Sequence, residues 1–342
     1  VSIPSTELKS CYAFGTTTIT NADHTITTSE VVRALELAKA SQVSSDHYLV
    51  SAVPLGFDLD ESGEWVQNPI RMSANSMTGH YQLMQLPIST MQNLDRAMKG
   101  ANIGVEKMVI STLATSEACL LKDEKEYGVC LIDIGAGTTN VAMYIEGRLA
   151  LTHTLQRGGE HVTRDIAAVL QTTTEEAERI KLLYGCVDQK VVKPDHMIQI
   201  QGIDGPQTIS RIELTDIIIA RYEEIFGQIR QELEKTGALQ GLYHGVVLAG
   251  DACQIEGMVN FVRRMLGVSA HLANPPTAVY SDDAQQAALH RSQYATAAGL
   301  LMFSQSELPE AISEEEETDE VSFWKRAGRA WSGLNDKLKS FF

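Results

Sequence analysis

The stretch Ile132–Ala142, IDIGAGTTNVA, decides how the rest of the chain is read. It places Asp133 at the end of an apolar, strand-like run, with Gly135 and Gly137 flanking a tight turn before Thr138 and Thr139. Glycines in such a turn let backbone N–H groups approach an anion with no Cβ in the way. The hydroxyls of Thr138 and Thr139 add donors suited to phosphate oxygens. Asp133, itself an anion, suits a water on a magnesium ion rather than the phosphate. The plain alternative is a hairpin of small residues, and the string alone does not decide between the two.

Three segments downstream weigh on the choice. GGEHVTRDIA (158–167) sets Gly158 and Gly159 just ahead of a helix start, where N–H groups and the helix dipole favour an anion. AERIK (177–181) puts Glu178 and Lys181 on one helix face, fit to contact a ribose and base; an exposed ion pair is the plainer reading. VVLAGDACQIEG (246–257) is a second strand–glycine–helix turn, with Gly250 followed by Asp251.

Around these segments the chain alternates strands and helices. TTSEVVRALELAKASQ (27–42) has one apolar helical face, with Thr28 or Ser29 as the expected cap. DHYLVSAVPLGF and GHYQLMQLPIS read as strands, and with this helix they make a small α+β unit over 1–87. Residues 88–127 read helix, strand, helix. The segment 172–242 reads as mostly helical with a polar hairpin-like insert, and a further core helix is expected near QYATAAGLLMFS.

Composition narrows the function. The chain has 342 residues, 44% hydrophobic and 21% charged, with a net charge of −16. Such a balance builds a globular core and argues against nucleic acid as a partner. No run approaches the roughly 20 apolar residues of a membrane-spanning helix. Five scattered cysteines with no CxxC pair fit reduced core thiols, and the nine histidines show no metal-ligand spacing.

The C-terminal end departs from this average. Residues 306–321, SELPEAISEEEETDEV, read as an acidic linker. In 322–342, Lys325, Arg326, Arg329, Lys337 and Lys339 stand against Asp336 alone. On a helix, Phe323, Trp324, Trp331, Leu334, Leu338, Phe341 and Phe342 fall within an arc of about 120°. An aromatic and basic helix of this kind lies flat in the boundary of an anionic membrane. The competing reading packs it on the protein's own core.

In this order the motifs resemble the actin/Hsp70/hexokinase superfamily, and within it the bacterial cell-division family FtsA. The resemblance covers essentially the whole chain. It implies an α/β fold of actin-like (ribonuclease H-like) lobes, with an inserted small α+β subdomain and a C-terminal amphipathic helix. On that plan, 1–87 is the insertion. A remnant of the first lobe occupies 88–127 and 292–305, and the second lobe 128–171 and 243–291. A small helical subdomain spans 172–242, then come the linker and membrane helix. The resemblance further implies ATP and Mg2+ between lobes, self-association into filaments and contact with other division proteins. It also implies docking of the C-terminal peptide of the tubulin-like protein FtsZ near Arg211 and Arg221, at the inner face of the cell membrane. Arg211 and Arg221 pairing with nearby glutamates is the plainer account of both.

Three departures from the family qualify the resemblance. No DxGT-like phosphate hairpin precedes the small unit, so the sequence reads as a copy lacking its N-terminal portion. YAFGTTTI (12–19) has the glycine and threonines without the acid. The family's usual Gly-Gly pair is Gly250-Asp251 here. At the helix start after EKMVIST, where a Glu or Gln would orient water, stand Thr112 and Leu113, with Glu117 a turn further on. Hydrolysis is therefore expected to be slow at most. The alternatives are a pilus-assembly actin homologue and a small-molecule kinase of the same superfamily.

Overall fold

The computed structural model describes residues 1–3, 7–105, 108–235, 237–274 and 294–305. The acidic linker and the whole expected membrane helix, Phe323 to Phe342, lie outside the described residues. The chain forms two compact units, one built on Val1–Ile110 and one on Ser111–Met302.

In the first unit, short strand β1 (Ser2–Ile3) pairs in parallel with β6 (Val109–Ile110). The main sheet has four antiparallel strands in the order β2 (Lys9–Thr18), β5 (Ser76–Pro87), β3 (His47–Leu59), β4 (Trp65–Val66). Helix α1 (Thr28–Gln42) buries Val31, Ala34, Leu35 and Ala38 against β-strand residues Ala13, Phe57, Met77 and Leu83. Its cap is Thr27, one residue before the expected pair, because the Thr27 N–H donates to Glu30 Oε2 at 2.9 Å. Gly15, the glycine of YAFGTTTI, has a packing reason: a Cβ there would overlap the Ala34 carbonyl of α1. Helix α2 (Ile88–Gly100) follows β5.

The second unit holds a five-stranded sheet in the order β13-β12-β7-β8-β9. Its strands are β7 (Val129–Ile134), β8 (Thr139–Ile145), β9 (Arg148–Leu155), β12 (Val246–Ala249) and β13 (Ala270–Leu272). β7, β8 and β9 form an antiparallel meander, while β12 runs parallel to both β7 and β13. β7 and β12 are buried along their whole length, as a central pair covered on both faces must be. Helices α3 (Ser111–Cys119) and α4 (Lys122–Tyr127) precede the sheet. α5 (Gly159–Val169) and α6 (Thr174–Tyr184) follow β9. The polar insert is an antiparallel hairpin of β10 (Met197–Gly202) and β11 (Gly205–Ser210). It leads into the long helix α7 (Arg211–Lys235). α7 buries Leu214, Ile218, Tyr222, Ile225, Phe226 and Ile229 in one core with β7 and β12. This i, i+3, i+4 stripe is what fixes the floor of the site described below. Helices α8 (Met258–Leu266) and α9 (Ala295–Gln305) complete the described elements. Four cysteines are buried, Cys11 is half-buried, and all five are free thiols.

Candidate functional site

β7 and β8 are paired up to Ile134 and Thr139, so the chain must reverse within Gly135–Thr138. The reversal is closed by the Gly135 N–H donating to the Thr138 carbonyl at 2.9 Å. Among the described residues, the N–H groups of Ala136, Gly137 and Thr138 have no partner in the protein. Ala136 and Gly137 are exposed and Thr138 half-buried. Three adjacent unspent donors in one tight turn make a concavity for an anion.

The turn at Gly158-Gly159 is built differently, and it corrects the expectation of an open helix N-terminus. The Gly158 N–H goes to His161 Nδ1 (3.2 Å) and that of Gly159 to Gly135 O (2.9 Å). The Glu160 N–H bonds Ala136 O (2.8 Å) and the His161 N–H bonds Gly158 O (3.0 Å). All four leading donors of α5 are therefore satisfied internally. A Cβ on Gly158 would come within 2.5 Å of Gly135 O and 2.6 Å of Ala136 O. These glycines let the second turn lie on the back of the first; they do not present donors to a ligand.

The two threonines also part company. Thr138 keeps its hydroxyl at the turn, whereas Thr139 is fully buried and donates its hydroxyl to Arg157 O at 2.8 Å. Thr139 thus holds the turn in place and is not available to phosphate, contrary to the sequence expectation.

Asp133 is buried beneath Gly250, whose added Cβ would lie 2.6 Å from Asp133 Oδ1. Gly250 adopts φ +85°, so both its space and its backbone demand glycine. Burial pushes the Asp133 carboxyl above its ordinary value, partly opposed by the hydrogen bond from Thr115 Oγ1 at 3.1 Å. Thr115 also lies 2.8 Å from the Thr296 hydroxyl of α9. Neither threonine carried a sequence signal, since each sits in an ordinary run of small residues.

Above these groups lies a cleft of about 830 Å³, lined among others by Gly135, Ala136, Gly159, Glu178, Lys181, Arg211 and Asp251. The segments singled out in the sequence therefore converge on one place. Tyr222 braces the floor by donating to Ala252 O at 2.9 Å. Glu178 and Lys181 are ion-paired at 2.7 Å. Burial pushes the Glu178 carboxyl up, but hydrogen bonds from Lys181 and Thr163 together outweigh it and hold it below the usual range. Thr163, missed in the sequence, touches both members of the pair. It stands one helical turn after Gly159, which was the available clue.

Arg211 donates to Tyr184 O (2.9 Å) and Glu256 (2.6 Å) in the cleft wall. Arg221 lies on α7 facing α5, where it forks onto Asp165 at 2.5 and 2.8 Å and also pairs with Glu224. Both arginines thus have acidic partners within the chain. Thr112 is buried, and Glu117 is ion-paired with Lys125 at 2.9 Å. No helix among the described residues is long and apolar enough to cross a membrane.

Comparisons with known proteins bear on the family and the fold. A model of the cell division protein FtsA matches residues 130–299, and a model of the SHS2 domain inserted in FtsA matches residues 6–85. The FtsA of Escherichia coli K12 is 29% identical over 91% of this chain and 75% of its own length. Among solved structures, the PilM–PilN type IV pilus biogenesis complex superposes with a TM-score of 0.60 at 17% identity, over 86% of this chain and 76% of that one. MreB5 of Spiroplasma citri bound to ADP superposes with a TM-score of 0.53 at 17% identity, over 64% of this chain and 65% of that one. The fold is actin-like, and the two family matches together span most of the sequence. The chain belongs to the FtsA family of bacterial cell-division proteins.

Proposed function

We propose that this chain is an ATP-binding membrane tether of the division apparatus. The nucleotide sits in the cleft with its phosphates on the Gly135–Thr138 turn. The terminal segment 322–342 rests on anionic lipid at the inner face of the cell membrane. The body self-associates into filaments and holds the FtsZ C-terminal peptide on the 172–242 region, alongside other division proteins.

The observation that carries the nucleotide reading is the set of three unspent N–H donors at Ala136, Gly137 and Thr138, the first of these residues standing in the wall of a cleft large enough for a ligand. The related fold of MreB5, solved with ADP, supports it. No cluster of three His, Cys, Asp or Glu suited to a metal occurs among the described residues. Magnesium would therefore arrive with the phosphates, and Asp133 would reach it only through water. Bound there, the ion would neutralise phosphate charge. The buried position of Thr112 and the pairing of Glu117 leave no poised base at the expected place, which suits a protein that uses nucleotide to set its conformation.

The tethering part rests on the aromatic and basic pattern of 322–342. Co-sedimentation of the full chain with vesicles containing anionic lipid should bring the protein down, and deleting 322–342 should leave it in solution. Binding that survives the deletion, or none in the intact chain at low salt, would end the tethering reading. For the peptide, a titration with an acidic FtsZ-tail peptide should weaken several-fold in Arg221→Gln. Unchanged affinity would return Arg221 to a purely internal clamp between α5 and α7. The PilM-like superposition favours the pilus-assembly reading only at the level of fold, and the family match favours division.

A further inference from the structure

The cleft proposed to take nucleotide is poor in free positive charge. Its lining includes five carboxylates against two cations, and both cations are already engaged. Lys181 Nζ points its three hydrogens at Glu178 Oε2 (2.7 Å), Thr163 Oγ1 (2.8 Å) and Gly159 O (3.2 Å). Arg211 is held by Tyr184 O and Glu256. Asp251 has no such compensation: its Oδ1 accepts from the neutral Gln254 Nε2 at 3.2 Å, and among the described residues no cation pairs with it.

The backbone places Asp251 beside the strand end that leads into the glycine turn, the end of the cleft where the phosphates are proposed to lie. Its predecessor Gly250 is pressed against Ile134 and Asp133, at the foot of the glycine turn. Its successor Ala252 packs on Gly159, where an added Cβ would lie 3.1 Å from the Ala252 Cβ, and the Gly159 N–H is bonded to Gly135 O. Asp251 thus follows a residue packed on the strand end that leads into the anion turn and precedes one packed on Gly159, which is bonded to that turn, with its own side chain exposed to the cleft. A fixed negative charge so close to a polyphosphate repels it, and most strongly the ligand of highest charge.

We infer that Asp251 is a specificity-determining residue of this cleft. It selects against free nucleotide polyphosphate and leaves the uncharged nucleoside end, or the magnesium-neutralised polyphosphate, as what the cleft accepts. The inference rests on the nucleotide reading above and adds to it an order of preference. The glycine turn supplies neutral dipoles for the phosphates, and Asp251 sets the charge they are allowed to carry. Asn at this position has the same shape and keeps the Gln254 contact, so it isolates the charge.

The test is calorimetric titration of the full chain and Asp251→Asn with adenosine, ADP and ATP at low salt, each with EDTA and with magnesium. The variant should bind magnesium-free ATP about tenfold or more tightly than the parent, as loss of one nearby like charge predicts. ADP should gain less, and adenosine should stay within about twofold. Magnesium and added salt should each shrink the ATP gain, because both screen the repulsion. Equal gains for adenosine and ATP, or no gain for ATP, would overturn the role of Asp251 while leaving the nucleotide cleft intact. If neither adenosine nor any nucleotide binds either protein, the cleft reading itself falls, and the inference with it.

Discussion

Two glycine turns meet at this site, and they do opposite things with the same residue. At Gly135–Thr138 the backbone donors of Ala136, Gly137 and Thr138 are left open. At Gly158-Gly159 every leading donor of α5 is consumed by neighbours, two of them by the carbonyls of the first turn. In the first turn glycine leaves room for a ligand; in the second it leaves room for the protein. A glycine pair ahead of a helix is therefore not by itself an anion site. What distinguishes the two is where the N–H groups already go, and that depends on residues some twenty positions away.

The strongest way to break this comparison is Gly158→Ala. The new methyl would meet two backbone carbonyls, which cannot swing aside as a flexible side chain can. A loss of about 3 kcal/mol or more is expected, in the range of severe core overpacking. Chemical denaturation with tryptophan or far-UV readout checks it. A midpoint close to the parent's would mean that the second turn is not packed against the first.

Next in size is Asp133→Asn, which should stabilise. Burial raises the folded-state pKa of Asp133 above its unfolded value. The folded protein then holds the proton more tightly, so stability falls as pH rises through that raised pKa. The charge penalty is absent below the unfolded value near 3.8 and fully present once the pH exceeds the folded one. Asn keeps an acceptor for Thr115 and removes the charge. A gain of about 1–2 kcal/mol, a few degrees in Tm, is expected at neutral pH. The gain should narrow on acidification, and a pH-independent gain would show that desolvation of the carboxylate is not its cause.

Thr139→Val sharpens the contrast between the two adjacent threonines. It preserves the branched shape and removes the hydroxyl that donates to Arg157 O in the buried layer. About 1 kcal/mol of stability should be lost. Thr138→Val should cost the fold less, because among the described residues the Thr138 hydroxyl has no hydrogen-bond partner. Equal costs would mean that Thr139 does not anchor the turn.

How far all this could be read beforehand follows from the same physics. The meander start β7–turn–β8, helix α1, the hairpin insert and helix α7 each announce themselves through period or turn residues. β9 and β13 do not. They are edge strands: β9 alternates only weakly and β13 has three residues, so neither carries a buried stripe long enough to notice. The site was legible as a convergence of segments, because glycine turns next to strands are rare enough to stand out. It was not legible atom by atom. Thr138 and Thr139 look alike in sequence, yet one step along a pleated strand carries a side chain from the turn into the core. Thr115 could be found only once α3 was seen against β7.

The smallest expected effect is also the most discriminating. Gly137→Ala adds a methyl at the first turn, where no atom lies within 4 Å of the new Cβ and the backbone is outside the left-handed region. Stability should stay within about 0.5 kcal/mol of the parent, as for a surface substitution in open space. The N–H remains, but the methyl enters the space that glycine leaves for the phosphates, so ATP affinity should fall while the fold holds. Gly137→Pro at the same spot removes that N–H. It should weaken ATP binding while sparing adenosine, because only the phosphates are proposed to use this donor. If the alanine variant unfolds as Gly158→Ala does, the first turn is packed as tightly as the second. If the proline variant binds ATP like the parent, its donors are open to water alone. Either result would erase the difference between the two turns on which the placement of the phosphates depends.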